Sequence, residues 1–385
     1  MRKGTNPNSS KSRKKVFHLI PNLNTGGAEM LLSEMVINMI DDDVDSLVIC
    51  FNTSDSNLQK KVNDVVSLVS LDSNAKSFYS VLRNLFLILS KEKPDVLHCW
   101  MYHSNLIGGF IGRIAGINQI IWSIHSNMPK ALNIRTKILN ILSALFSKIL
   151  TDAIVFVSKS SRDKHQKIGY SKKKSLIINN GVQFDNFLFS ENERSILRDE
   201  LIADQDEILI GLLGRNVPEK DYPNFFKSLE HINTDKKIRI VLAGQGMEVT
   251  STDINELIIK HAKGFDIHLL GPLEDTRHFF SGIDIFVISS SSESAPVSLL
   301  EAMSAGLRIV VTDVGDCKDI LNDERFVSEP NNPKDLAEKI SGSISLSIDS
   351  KEKTLNKFKE RVRSKYSIDV MQNYYLSLYN RAIKK

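Results

Sequence analysis

The sequence predicts an α/β protein built from two parallel-sheet domains. Three observations carry this. Short apolar runs alternate with stretches of helical period along most of the 385 residues. That is the pattern of βα units, hence of a parallel sheet covered on both faces. The alternation stops at the turn signal Asn179-Asn180-Gly181 and gives way to polar, charged sequence through Asp206. It then begins again, so two Rossmann-like domains meet near residues 182 to 206. A chain of this length accommodates two ordinary domains.

In the first half the strand runs are Val16–Ile20, Ser46–Phe51, Val65–Leu71, Val96–Cys99, Gln119–Ile124, Ala153–Val157 and Leu176–Ile178. Amphipathic stretches such as Ala28–Ile40 and Phe78–Lys91 lie between them. In the second half they are Ile208–Leu213, Ile238–Ala243, Ile267–Leu269, Ile283–Ile288, Leu307–Val311 and Phe326–Val327. Asp349 to Lys385 is helical in pattern, with Val370 to Ile383 as its last helix.

Composition is that of a large globular protein, 42% hydrophobic and 25% charged. No apolar run reaches the roughly 20 residues of a spanning helix, and no apolar segment follows the basic start as in a signal peptide. Cys50, Cys99 and Cys317 are widely spaced and read as buried thiols, not as disulfides or metal ligands. These features predict a cytoplasmic protein.

The most informative stretch is Glu293-Ser294-Ala295-Pro296-Val297-Ser298-Leu299-Leu300-Glu301. The first Glu follows a strand and precedes a helix, the place where open α/β sheets bind ligands. The second is expected about two turns into that helix. Between them a helix N-terminus offers free N–H groups to phosphate. One carboxylate beside a phosphate site and one beyond it suit a ligand with hydroxyls at both ends, such as a nucleotide-sugar. Expelling the nucleotide builds negative charge, which a metal or fixed cations can stabilise. Arg215 and Lys220 follow the strand Leu209–Leu213 and the turn at Gly214, so both cations point to the same cleft. No His or Cys cluster has zinc spacing. Asp41-Asp42-Asp43 matches an acidic metal motif but ends a helix, at the wrong end of a parallel sheet. Gly26-Gly27 opens a helix after the first strand without a G-x-G-x-x-G fingerprint, which disfavours a dehydrogenase.

This arrangement resembles the E-x7-E motif of the retaining glycosyltransferases of family 4, which have the GT-B fold. The resemblance runs from Val16 to about Ile320, with its parts in the family's order. These are Gly26 to Glu29, His125 at a strand end, Asn180-Gly181-Val182, Gly214-Arg215 before Glu219-Lys220-Asp221, Gly244 and Gly246, and Gly315-Asp316. It implies two domains facing across a cleft, with an acceptor domain over 16–184, a donor domain over 185–365, and a helix in 366–385 returning to the first domain. It implies that Arg215 and Lys220 grip the phosphates with the N–H groups of Val297 and Ser298. Glu301 accepts the ribose hydroxyls and Glu293 the donor sugar. Gly26, Gly27, Gly244 and Gly271 line the nucleotide-sugar site, and His125 touches the reacting sugar. His98 and His103 read as packing or acceptor-side residues. Ser294-Ala295-Pro296 replaces the commoner glycine-rich turn, which leaves the donor sugar open. Pro296 removes one N–H and suits a first helical turn.

The expected activity is metal-free, cofactor-free transfer from a nucleotide-sugar, with a UDP-sugar as the family's habit suggests, to a glycan or lipid-linked acceptor in cell-surface polysaccharide synthesis. A sugar-nucleotide epimerase, a phosphorylase and a non-catalytic partner of an assembly complex stand as alternatives. Residues 1–15 hold six basic residues and no acid, a disordered basic tail suited to an anionic membrane. Met128 to Leu150 reads as a helix with Ile134, Ile138, Leu142, Leu145 and Ile149 at helical spacing among basic residues. Tail and helix together suggest contact with the inner face of the cytoplasmic membrane. Nucleic acid is disfavoured, since aromatics are only 7% and no basic-aromatic motif occurs.

Overall fold

The computed structural model describes residues 13–24, 26–39, 44–53, 55–74, 77–128 and 134–381. Most of the basic tail, the Asp41-Asp42-Asp43 run and Ile383 lie outside these residues.

The first half runs β1 (Lys14–Ile20), α1 (Gly27–Asn38), β2 (Val44–Cys50), α2 (Asn57–Asn63), β3 (Ser67–Ser70), α3 (Phe78–Glu92), β4 (Val96–Trp100), α4 (Met101–Ile114), β5 (Gln119–Ile124), α5 (Ile134–Leu150), β6 (Ala153–Phe156), α6 (Lys159–Lys167) and β7 (Ser175–Ile177). The second runs α7 (Glu191–Glu200), β8 (Ile208–Leu213), α8 (Tyr222–Leu229), β9 (Ile238–Ala243), α9 (Thr252–His261), β10 (Asp266–Leu269), α10 (Arg277–Gly282), β11 (Ile285–Ile288), α11 (Val297–Ala305), β12 (Arg308–Thr312), α12 (Cys317–Leu321) and β13 (Val327–Ser328). Three helices close the chain: α13 (Pro333–Ile344), α14 (Ile348–Lys365) and α15 (Ile368–Tyr379).

Both sheets are wholly parallel. Their orders are β3-β2-β1-β4-β5-β6-β7 and β10-β9-β8-β11-β12-β13. In each, the strand order reverses beside the first strand, so the loops after β1 and β4, and after β8 and β11, diverge and leave a crevice at the carboxyl ends. Each sheet is buried on both faces, which is why its strands read as unbroken apolar runs. On the first sheet α3, α4 and α5 cover one face around Trp122 and Phe156. The other face packs on α1 and on α15, through Ile368, Met371, Tyr375, Leu378 and Tyr379. The last helix thus returns to the first domain, and its own burial pattern explains why. Gln119 Nε2 donates to Leu378 O (2.8 Å), and His98 Nδ1 meets Tyr379 Oη at 2.8 Å. The chain also crosses between domains as a short ladder, with Val182 N donating to Tyr366 O and Ile368 N to Val182 O, both at 2.9 Å.

Three expectations are corrected. The junction is not merely polar: α7 lies in it, with Ser190 accepting from Glu193 N, and buries Leu197 against Gly282, where no Cβ would fit. Only Ile196 and Leu197 break its charged sequence, so the apolar period was too short to see. The Ser190-x-x-Glu193 spacing of a capping box was the available signal. Met128 does not start a helix. It sits in a loop at φ 52°, and α5 begins at Ile134, with residues 129–133 outside those described. The last crossing helix spans Ile368–Tyr379 instead of starting at Val370. The three cysteines are free and buried, Cys50 in β2, Cys99 in β4 and Cys317 at the start of α12. Among the described residues no helix is long and apolar enough to cross a membrane.

Candidate active site in the interdomain cleft

The site is built from the loops after β8 and β11, neighbouring strands at the switch point. Gly214 follows β8, and the arm of Lys220 lies across it, so close that a Cβ at Gly214 would meet Lys220 Cε at 2.9 Å. Lys220 Nζ reaches Glu293 Oε1 at 2.7 Å, and Ser290 Oγ donates to the same oxygen at 2.7 Å. Glu293 is 12% exposed and Lys220 24%, so this ion pair is largely removed from water. Ser290 was not singled out from the sequence. The serine run at a strand's carboxyl end was the signal for it.

The chain carrying Glu293 is pinned residue by residue. Asn127 Nδ2 donates to Glu293 O. Asp316 N donates to Ser294 O (2.9 Å), and Asn180 Nδ2 to Ala295 O (2.8 Å). Asn127 and Asn180 come from the first half of the chain, so the other domain helps set this loop. With its carbonyls engaged, the loop leads into α11 at Pro296, which is the N-cap and not a first-turn residue, at φ −67°. Proline accepts that φ but has no side chain with which to cap. Among the described residues, the N–H groups of Val297 and Ser298 therefore have no acceptor. They are the free donors of a positive helix end.

Glu301 is the fifth residue of α11, about one turn in and not two, because the helix begins only at Val297. It is 6% exposed with no hydrogen-bond partner among the described residues, and burial pushes its carboxyl up to about 8. An unpartnered buried carboxyl in a cleft is a site waiting for donors.

Arg215 is exposed and, among the described residues, forms no ion pair. Its charge is felt by Glu29 in the first turn of α1, whose carboxyl burial raises while its backbone hydrogen bond and Arg215 lower it. Gly26 and Gly27 stand where α1 opens. Among the described residues no hydrogen bond joins either to the second domain. In sequence Glu29 is the last residue of the Gly26-to-Glu29 motif, and its spacing does not set it apart.

His125 follows β5 directly, and its ring stacks on Trp100, centroids 5.0 Å apart at 17°. Its Nε2 is buried without a partner. Burial lowers its pKa to about 4, so the ring is neutral at pH 7. Two residues on, Asn127 touches the Glu293 loop, so the segment that carries His125 reaches the second domain. His98 is buried between Tyr379 and Ser123 (2.6 Å), a packing position, whereas His103 is exposed on α4.

The glycine loops form a wall. Gly244 N donates to Gly271 O (2.7 Å), and Gly271 N to Met247 O (2.8 Å). Gly244 adopts φ 130°, and a Cβ there would strike the carbonyl of Gly214. Gly244→Ala is therefore expected to cost about 2–4 kcal/mol from backbone strain and overpacking. Urea unfolding would read this as a lowered midpoint at constant slope. An unchanged midpoint would show that the loop relaxes freely.

Asp316 closes the far side. Its carboxylate accepts from Lys159 N (2.7 Å) and Ser160 N (3.0 Å), at the start of α6 in the other domain. Beside it Ser158 Oγ and Ser294 Oγ are 2.9 Å apart. Among the described residues no group of three or more His, Cys, Asp or Glu side chains is placed to hold a metal.

Comparison with known proteins agrees with this geometry. The model of the glycosyl transferases group 1 matches residues 193–365, and that of glycosyltransferase family 4 matches residues 25–186. A Campylobacter jejuni protein, N,N'-diacetylbacillosaminyl-diphospho-undecaprenol alpha-1,3-N-acetylgalactosaminyltransferase, is 26% identical over 322 residues, 80% of this chain and 83% of that one. The Escherichia coli UDP-Gal:alpha-D-GlcNAc-diphosphoundecaprenol alpha-1,3-galactosyltransferase is 25% identical over 254 residues, 64% of each chain. Anabaena HepE, solved in complex with UDP and glucose, superposes with a TM-score of 0.82 at 16% identity, covering 95% of this chain and 99% of its own. WaaG, a glycosyltransferase of lipopolysaccharide biosynthesis, superposes with a TM-score of 0.73 at 12% identity, covering 95% and 100%. With two Rossmann-like parallel-sheet domains, a carboxylate–lysine pair at the switch point and both family models matched in order, this chain belongs to the group 1, family 4 glycosyltransferases of GT-B fold.

Proposed function

We propose that the protein transfers a sugar from a nucleoside diphosphate sugar, most simply a UDP-sugar, to a lipid-linked glycan, with retention of anomeric configuration and without a metal. The observation that carries this is the Lys220–Glu293 pair beside the uncapped start of α11, with Arg215 unpaired nearby. Residues 185–365 hold the donor, residues 16–184 receive the acceptor, and the helix within 366–385 ties the two.

Two cations, Lys220 held by Glu293 and Arg215 unpaired, and two free N–H groups supply what a diphosphate leaving group needs. Lys220 has three N–H donors. One aims the ammonium through Glu293 and the others reach phosphate. Glu301 accepts the ribose hydroxyls. The second oxygen of Glu293 accepts from the donor sugar, and the neutral edge of His125 meets it from the other domain. In the step itself the acceptor oxygen bonds to the anomeric carbon on the face the phosphate leaves. The bond to the phosphate oxygen breaks, and that oxygen takes the acceptor's proton. No side-chain nucleophile is needed. The undecaprenol-linked acceptors in the names of the two relatives above support a lipid-linked acceptor, and with it work at the inner face of the cytoplasmic membrane.

The test is thermal unfolding with UDP, GDP, ADP, CMP and their sugars, EDTA present throughout. A ligand at 100 times its Kd stabilises the native state by about 2.7 kcal/mol. One nucleoside diphosphate should raise the Tm and the rest should not. No shift with any of them would favour a non-catalytic member of an assembly complex.

A further inference from the structure

Helix α5 is turned inside out. Its buried face is Asn140, Ser143, Ala144 and Ser147. Part of this polar face is engaged inward: Tyr170 Oη donates to Asn140 Oδ1 (2.7 Å), Ser147 Oγ to Ala144 O (2.8 Å), and Ser171 N to Ser147 Oγ (3.0 Å), while Asn140 Nδ2 and Ser143 Oγ are buried without a partner among the described residues. Its branched aliphatic residues, Ile134, Ile138, Ile141, Leu142, Leu145 and Ile149, form a single stripe that is 37–70% exposed. The neighbouring helix extends it. Phe110 of α4 meets Phe146 edge-on at 4.9 Å and is 37% exposed, and Ile114, one turn on, is 68% exposed. A contiguous apolar face of this kind on a protein surface marks an interaction site.

The charge around it selects the occupant. From Val96 to Thr151 the chain has no Asp or Glu, while Arg113, Lys130, Arg135, Lys137 and Lys148 fall within that stretch. Arg113 is paired with Asp152, and Arg135, Lys137 and Lys148 stand exposed among the aliphatic residues. A second copy of this chain meeting this face would oppose these cations to their own kind with no acid to pair. An anionic lipid surface would take the stripe into its apolar boundary and the cations among its headgroups.

We propose that the outward face of α5, extended by Phe110 and Ile114, docks the enzyme on an anionic phospholipid bilayer. The helix is the element that follows β5 and His125 in the chain, so the docked face belongs to the half that receives the acceptor in the proposed function. This deepens the proposed function and rests on it only for the identity of the acceptor.

The experiment is flotation of the full chain with vesicles of phosphatidylcholine, with and without phosphatidylglycerol, at low and high salt. Donor and acceptor are both absent, so failure of docking and failure of the transferase reading are separate results. The unaltered protein should float with the anionic vesicles at low salt and be released by salt. The double substitution Ile138→Glu, Leu145→Glu should reduce the bound fraction by about tenfold or more. Its Tm and its nucleotide-induced shift should not change, since both side chains face outward. Lys137→Glu, Lys148→Glu should remove the salt-dependent part. Equal flotation of the unaltered protein and the Ile138/Leu145 variant would overturn the proposal and assign binding to the basic N-terminal segment, which both retain. Absence of flotation from either, or a dimer that the double substitution dissolves, would overturn it also.

Discussion

Lys220→Met should lower kcat/KM by about 10²–10³-fold, the scale set by removing one fixed donor from a developing anion. Methionine keeps an unbranched arm over Gly214, where Lys220 Cε lies, so the loss reports charge and not packing. The nucleotide-induced rise in Tm should disappear with it. Glu293 would keep Ser290 but lose its cation, leaving a largely buried carboxylate with one donor. Such a loss costs about 1–3 kcal/mol of stability, so the free variant should also melt earlier. Lys227→Ala, on the exposed side of α8, is the control that should change nothing. A Lys220→Met enzyme within threefold of the parent would remove Lys220 from the phosphate site. Arginine is no substitute there, because its planar fork is bulkier than an ammonium and the arm already touches Gly214.

The second large effect is on pH dependence through Glu301. In the free protein its carboxyl holds a proton up to about pH 8, against an ordinary value of 4.5. Between those values the native state binds one proton more than the unfolded chain, so stability falls as pH rises through that window and is constant below it. Ribose hydroxyls donating to this group favour its charged form. Nucleotide binding should therefore expel a proton, and affinity should rise toward pH 8 by up to about tenfold per unit. Titration calorimetry in buffers of different ionisation enthalpy would read the released proton directly. Glu301→Gln should flatten the profile and make the free protein more stable above pH 8. An unchanged pH profile in that variant would place the ribose elsewhere.

Much of this site is legible in the sequence, and the reason is local. Arg215, Lys220 and Glu293 each follow a strand by a few residues, so the βα alternation alone puts them at carboxyl ends; that β8 lies next to β11 comes from the doubly wound strand order. The glycines were legible for the same reason, since a strand-to-helix turn needs them. What stayed hidden depends on distance in sequence or on orientation. Asn127 and Asn180 reach Glu293 and Ala295 across more than a hundred residues, and no spacing announces that. Asp316 sat in a recognised motif, but its partners at the start of α6 lie in the other domain. For α5 the period of the aliphatic residues was plain. Period says that a stripe exists and not which way it faces. The small polar residues opposite it carried the answer, because only they pack closely enough against the sheet.

The return of α15 has a consequence for how the molecule is made. The apolar face of the first sheet is covered by α1 and by a helix whose residues are translated after every other described element. A nascent chain that has finished β7 holds a seven-stranded sheet with part of that face bare. Domains of multidomain chains ordinarily fold as units in the order of synthesis. Here the first unit waits for the second, and the exposed interval lasts through translation of the entire donor half. Truncation before Ile368 should therefore injure the acceptor half, not the half that was shortened.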